Sequence, residues 1–339
     1  MTVTGPRSLV VARAMVFGRD LDSVLQGATG ERDLDVVELW SGVGSVVSAA
    51  TRSGFEAVPF DKFRTAGETE NNEDILTESG FALALSLVLR LRPGGLLIMA
   101  PVCSSWIFLC KHQTGRCKAN GYAGDSKCRS VREGNKMAEV AAFLYTVACR
   151  RGTVAFIENP PSSTIFRHEP VRQAVQSSSS VVVPRCAFSD EPVGKKFGKK
   201  FKFVGNAPWM QSLSRKCLCP NGVHKKTVKE NIVGGARKVW GDKAALRESG
   251  SYPPRLGQAI VDAWAGPWFD SEGSVHGLAK SKVNTRPRSS PCLAKSKVKA
   301  GPRSRQAQGL AKSWCRLPLG DSAEKPRRKD WRMCSLESS

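Results

Sequence analysis

Two side chains stand where chemistry is expected of them. Cys103 lies in Ala100-Pro101-Val102-Cys103-Ser104-Ser105-Trp106, directly after the apolar run that starts at Leu96. Glu158 lies in Phe156-Ile157-Glu158-Asn159-Pro160-Pro161-Ser162, directly after a second run that starts at Thr153. If both runs are parallel strands, their carboxyl ends open onto the crevice where such sheets bind ligands. A thiol there, near backbone N–H groups or cations, drops below its free pKa of about 8.5 and becomes a nucleophile. A carboxylate there is costly unless its charge is used or neutralised. Over an extruded pyrimidine, it would bond the exocyclic amine and protonate N3, making C6 electrophilic toward the thiolate. Cys110, Cys117, Cys128 and Cys149 are read instead as small packed hydrophobes.

A glycine turn, Ser41-Gly42-Val43-Gly44, follows the apolar run Val36 to Leu39 and precedes a helical stretch that reaches about Ser53. Such a turn brings backbone close to a ligand at a helix N-terminus, and Asp61, closing Ala57-Val58-Pro59-Phe60-Asp61, suits a ribose diol. Val47 stands where a dinucleotide fingerprint would have its third glycine, which argues against NAD. Asp74, in Asn72-Glu73-Asp74-Ile75, is the expected holder of an adenine edge.

Cys217-Leu218-Cys219 and His224, with Cys186 upstream, include four soft ligands. Cys-x-Cys is not the usual Cys-x-x-Cys chelate, so no metal is expected of them. The basic, aromatic-bearing stretch Lys195 to Trp209 reads as a surface that tracks phosphates.

Strands must position these residues. The four apolar runs alternate with helical stretches, Phe81 to Leu91 (stopped by Pro93-Gly94-Gly95) and Lys136 to Arg151, so a parallel doubly wound α/β sheet is expected. Ser180 to Val183 and Phe201 to Val204 would pair as an antiparallel edge. Gln211 to Ser251 shows little periodicity. Tyr252-Pro253-Pro254 introduces a helix, Arg255 to Ala265, with Leu256, Ile260 and Trp264 on one face. The expected organisation is a lead-in over 1–34, a catalytic domain over 35–205, a small basic recognition region over 206–251, a returning helix over 252–269 and a disordered basic tail over 270–339.

The net charge of +22 is unevenly spread: +2 over 1–184, +10 over 185–239, 0 over 240–269 and +10 over 270–339. A neutral module joined to clustered Lys and Arg points to a polyanion, hence nucleic acid as partner. No run approaches the ~18 apolar residues of a membrane span. Eleven irregularly spaced cysteines suggest reduced thiols inside a cell. The first nineteen residues hold three arginines and no acid before Asp20, a pattern shared by transit peptides and disordered leaders. The tail repeats Leu-Ala-Lys-Ser at Leu278, Leu293 and Leu310, and its Lys325-Pro326-Arg327-Arg328-Lys329 run would serve nuclear import.

Glu38-Leu39-Trp40-Ser41-Gly42-Val43-Gly44 resembles the first motif of cytosine-5 methyltransferases, Pro101-Val102-Cys103-Ser104 their nucleophile loop, and Glu158-Asn159-Pro160 their Glu-Asn motif, in the family's order. Arg185-Cys186-Ala187-Phe188 and Lys199-Lys200-Phe201-Lys202-Phe203 are similar to the compact phage-type members. The resemblance covers about 35–265. It implies a class I methyltransferase fold and S-adenosylmethionine as methyl donor. The catalytic residues would be Cys103, Glu158 and Asn159, and the cofactor residues Glu38, Trp40, Ser41, Gly42, Gly44, Asp61, Asp74 and Pro101. Ser104, Lys199, Lys200 and Lys202 would meet nucleic acid, and the last helix would return beside the first motif. Val102 replaces the family's second proline, no Gln-x-Arg-x-Arg element is present, and the short recognition region implies weak sequence specificity. The reading is a monomeric DNA (cytosine-5-)-methyltransferase, with RNA as the other substrate, in the nucleus or another compartment holding nucleic acid. Two alternatives stand: an adenine-N6 amino-methyltransferase using Asn159-Pro160-Pro161-Ser162, and an inactive nucleic-acid-binding protein of the same fold.

Overall fold

Strands with no polar face need cover on both sides, and that requirement sets the architecture. In the computed structural model, residue 25 and residues 30–62, 73–220, 223–233 and 236–266 are described. Most of the lead-in, Asn72, the tail with its repeat and the Lys325-to-Lys329 run lie outside the described residues. β1 (Leu34–Leu39), β2 (Ala57–Phe60), β3 (Leu91–Met99), β4 (Val154–Asn159), β5 (Ser179–Pro184) and β6 (Lys200–Gly205) form one sheet in the order β2-β1-β3-β4-β6-β5. The first four are mutually parallel. β6 runs antiparallel to both β4 and β5, which makes the expected antiparallel edge.

Alternation along the strands divides the core in two. Val37, Leu39, Leu97, Met99, Ala155 and Ile157 face one way, under α2 (Glu78–Leu89) and α4 (Arg129–Arg150). Val36, Leu96, Ile98 and Phe156 face the other way, under α1 (Ser45–Arg52) and α7 (Pro254–Ala265). Phe156 is fully buried in edge contact with Phe203. Truncating it to alanine would cost about 3–5 kcal/mol.

Three expectations are corrected. The helix α2 ends at Leu89, and Pro93-Gly94-Gly95 lies inside β3 rather than before it. A register shift against β1 absorbs this segment, and outside groups hold it: Arg92 pairs with Asp35 at 2.7 Å, Gly94 N–H donates to Gly152 O, and Trp264 Nε1 donates to Gly94 O. The long helix α4 begins at Arg129, not Lys136, because buried Val131 and Gly134 extend the apolar stripe under an otherwise polar first two turns. The stretch 211–251, which shows little periodicity, carries regular elements at its described residues. A short 3-10 segment, Pro208–Leu213, sends Met210 and Leu213 into the second core layer. A hairpin of β7 (Val228–Val233) and β8 (Ala236–Gly241) follows, then α6 (Lys243–Gly250), capped by Asp242. Two glycines join the hairpin strands, a turn signal that periodicity does not register. α3 (Lys111–Thr114) and α5 (Glu169–Ala174) are single turns in connections. No described helix is long and apolar enough to cross a membrane.

Candidate active site

The turn after β1 is wound by three left-handed residues: Trp40 at φ 55°, Gly42 at 55° and Gly44 at 65°. For tryptophan that conformation is strained, and such strain persists where the surroundings enforce it. The enforcement is visible. Gly42 N–H donates to Asp61 Oδ2 at 2.9 Å, Ser41 N–H donates to Phe60 O, and Gly44 N–H donates back to Ser41 O. Beneath the turn, Glu38 is buried and accepts from Val47 N–H at 3.0 Å, occupying the first turn of α1. Burial lifts its carboxyl to about 7. Glu38 thus braces the turn and the start of α1 from inside.

Ser41 Oγ is buried with no hydrogen-bond partner, and a Cβ on Gly42 would meet only open space. An unsatisfied hydroxyl beside an open glycine backbone fits a polar ligand such as S-adenosylmethionine. Asp74 is placed differently from expectation: Oδ2 contacts Lys62 Nζ and Oδ1 caps Leu76 N–H, so it organises its own turn.

Past β3, the Cys103 loop is fastened at two points. Asn159 Nδ2 donates to Pro101 O at 2.8 Å, linking the loop to the end of β4. Trp106, fully buried, lies under the Arg116 guanidinium at 3.3 Å, and Arg116 also donates to Ser105 O and Ser105 Oγ. Arg116 is itself buried, and burial pulls its pKa down to about 10. Asn159 is 1% exposed; its Nδ2 holds the loop, while its Oδ1 is buried with no hydrogen-bond partner.

Cys103 is partly accessible, and its thiol lies above the ordinary range instead of below it. Burial is the main cause; the Lys199 charge works against it and the Glu158 charge adds to it. Glu158 is buried, accepts from the Tyr252 phenol at 3.3 Å through Oε2, and has no hydrogen-bond partner at Oε1. Burial lifts it to about 7, against the pull of Lys199 and Tyr252. The Glu158 and Lys199 charges thus both bear on the Cys103 thiol, and the two residues singled out from the sequence stand after β3 and at the end of β4 in one sheet. Sequence reasoning missed Tyr252 and Arg116, and took Lys199 only as a phosphate contact. No local pattern marks the first two.

Of the remaining lysines, Lys200 is exposed, and Lys202 is partly covered, with Nζ 5.2 Å from the Phe166 ring. Ser104 is exposed. A cleft of about 320 Å³ lies beside the loop, lined by Ser105, Trp106, Lys111, Lys118, Ser162 and Arg167 among others. Neither Cys103 nor Glu158 lines it. Lys111, Arg116 and Lys118 come from a connection that sequence reading passed over, and Arg167 from the segment after β4. Of the four cysteines expected to pack, Cys117 is exposed and Cys110, Cys128 and Cys149 are only partly covered. The first three sit in or at the end of the 100–128 connection, which has no second layer over it. Among the described residues every cysteine is a free thiol. Cys186, Cys217, Cys219 and His224 meet in one cluster.

The described sheet is doubly wound and mostly parallel, with an antiparallel edge, a glycine turn after its first strand and helices on both faces, as expected of a class I methyltransferase fold. No protein-family model matches the chain, and no curated protein does. Among solved structures it is similar to the S. pombe Dnmt2 methyltransferase, at 13% identity and a TM-score of 0.29 over 56% of this chain and 57% of that one. It is also similar to the Entamoeba histolytica methyltransferase EhMeth, at 14% identity and a TM-score of 0.30 over 53% and 55%. The chain matches little more than half the length of either. At that level the similarity says nothing about the reaction, which has to come from the site's own chemistry.

Proposed function

We propose that this chain transfers a methyl group from S-adenosylmethionine to C5 of cytosine in nucleic acid, DNA in preference to RNA, through a covalent adduct on Cys103. What supports the reading is the placement of Cys103 after β3 and of Glu158 at the end of β4, with the Glu158 and Lys199 charges both acting on the thiol and burial raising Glu158 to about 7. A carboxyl in that state donates to a ring nitrogen, which an ordinary exposed glutamate does not.

The steps follow from these residues. Glu158 gives its proton toward N3 of the base while the Cys103 thiolate adds to C6. The ring electrons then gather at C5, which takes the methyl group. Loss of the C5 proton expels the thiolate and restores the ring. Ser41, Gly42, Gly44 and Asp61 would hold S-adenosylmethionine, which supplies the methyl group. Because a duplex hides C6, the target is flipped or unpaired, at a cost of a few kcal/mol. The exposed Lys200 and the basic residues of the neighbouring cleft suit phosphates. The expected setting is a monomer acting in the nucleus or another compartment that holds nucleic acid.

The amino-methylation alternative would use Asn159, whose Nδ2 donates to the Pro101 and Glu158 carbonyls while its Oδ1 has no hydrogen-bond partner. The decisive test uses oligonucleotides carrying 5-fluorocytosine, whose C5 fluorine cannot be lost as a proton, so the adduct is trapped. With S-adenosylmethionine the protein is expected to gain the mass of the oligonucleotide, in deoxyribose form before ribose form, and Cys103→Ala to gain none. Methylation that survives in Cys103→Ala, or no adduct with either sugar, would sink the reading.

A further inference from the structure

We propose that Cys186, Cys217, Cys219 and His224 form a structural zinc site, closed by four protein ligands. The three sulfurs and one ring nitrogen all lie within 4.8 Å of one another. Cys186 Sγ is 3.3 Å from Cys217 Sγ, and Cys217 Sγ is 3.4 Å from His224 Nε2. Ligands about 2.0–2.3 Å from a tetrahedral zinc are separated from one another by roughly 3.3–3.8 Å, so these atoms need only small adjustments.

The Cys-x-Cys spacing, which argued against a chelate, is accommodated by geometry. Leu218 between the two cysteines is 89% exposed, while the Cys217 and Cys219 sulfurs lie in the cluster with the other two ligands. Cys186 comes from the short turn after β5, 31 residues before Cys217, whereas Cys217, Cys219 and His224 share one short stretch. A ligand supplied from a distant turn frees the site from any fixed local motif. Three thiolates and one neutral imidazole around a divalent ion leave one net negative charge, and the cluster's sequence neighbours are Arg185, Arg215, Lys216 and Lys225.

The cluster grips the segment before β6 from two sides. Arg185, next to Cys186, donates its N–H to Lys199 O at 2.9 Å; Lys225, next to His224, donates its N–H to Lys196 O at 2.8 Å. The His224 ring lies so close over Gly198 that a Cβ there would stand 3.0 Å away. With four protein ligands the ion has no open position, so its work is to hold the strand that presents Lys199. The site stands independently of the proposed methylation.

The test is metal analysis of the full chain, purified under reducing conditions. One zinc per chain is expected by inductively coupled plasma mass spectrometry. Replacement by cobalt should give the intense visible bands and thiolate charge-transfer absorption of a tetrahedral site. Both signals should be lost in Cys217→Ser/Cys219→Ser, and a chelator should strip the ion from the unaltered chain while lowering its melting temperature, a readout that holds even if the variant does not fold. Metal-free protein that takes up neither zinc nor cobalt would overturn the proposal. So would a Cys186–Cys217 disulfide in the reduced preparation, or zinc unchanged in the double variant.

Discussion

Tyr252 donates its phenol hydrogen to Glu158 Oε2 at 3.3 Å, joining the residue before the last helix to the end of β4 across 94 positions of chain. The bond holds the Glu158 carboxyl down while burial pushes it up, and the balance falls at about 7. Removing it in Tyr252→Phe should move Glu158 upward. Since the protonated carboxyl is the working form, the alkaline limb of the pH–rate profile should shift to higher pH. At pH 7 the rate should change by about fivefold or less, the worth of roughly 1 kcal/mol. An unmoved alkaline limb would separate Glu158 from the proton transfer.

Lys199 acts on both reacting groups, lowering Cys103 and Glu158 alike. Lys199→Gln should raise both, so that Cys103 is alkylated several-fold more slowly by iodoacetamide at pH 7.5, with Lys199→Arg restoring most of the rate. Equal alkylation in all three proteins would leave Lys199 as a phosphate contact alone.

Asn159→Ala removes the donor to Pro101 O and leaves that carbonyl buried without it. A stability loss of about 1–3 kcal/mol is expected. Because the loop carrying Cys103 loses its anchor, adduct formation should slow by on the order of a hundredfold. Thermal denaturation and trapping kinetics measure the two effects separately.

Glu38 predicts a pH dependence of stability with a definite sign. Its folded-state value, about 7, lies above the ordinary 4.5, so between these values the folded protein keeps a proton that the unfolded chain releases. Stability therefore falls as pH rises through that window, and the loss remains above it. Glu38→Gln keeps an acceptor for Val47 N–H and abolishes the penalty. The variant should gain on the order of 1–3 kcal/mol over the parent at pH 8 and nothing at pH 4.5, read from urea melts at each pH. Glu158, shifted for the same reason, adds a slope of the same sign.

How much of this was legible follows from where the information lies. β1, β3 and β4 announce themselves because helices cover both their faces, so nearly every residue from Val36 to Leu39 or from Leu96 to Met99 is apolar. Cys103 and Glu158 were found because each directly follows such a run. Pro93-Gly94-Gly95 misled because its tolerance inside β3 depends on Asp35, Gly152 and Trp264, remote in sequence. The first turns of α4 were missed because two buried residues, Val131 and Gly134, carry them. Tyr252 and Arg116 leave no local trace, since each matters only through a partner that folding delivers. The zinc ligands were noticed and set aside on spacing, a criterion suited to ligands from one hairpin and not to a set completed by Cys186 from 31 residues away.

The last helix supplies more than cover. Gly257 lets it approach so near that a Cβ would stand 2.4 Å from Ser45 O, Ser45 Oγ donates to Tyr252 O at 2.7 Å, and Tyr252 reaches Glu158. The glycine turn and the buried Glu158 carboxyl are thus both completed by residues translated some two hundred positions after the turn itself. A nascent chain still lacking this helix would hold all the strands yet no competent centre, so on the ribosome activity should switch on late and all at once.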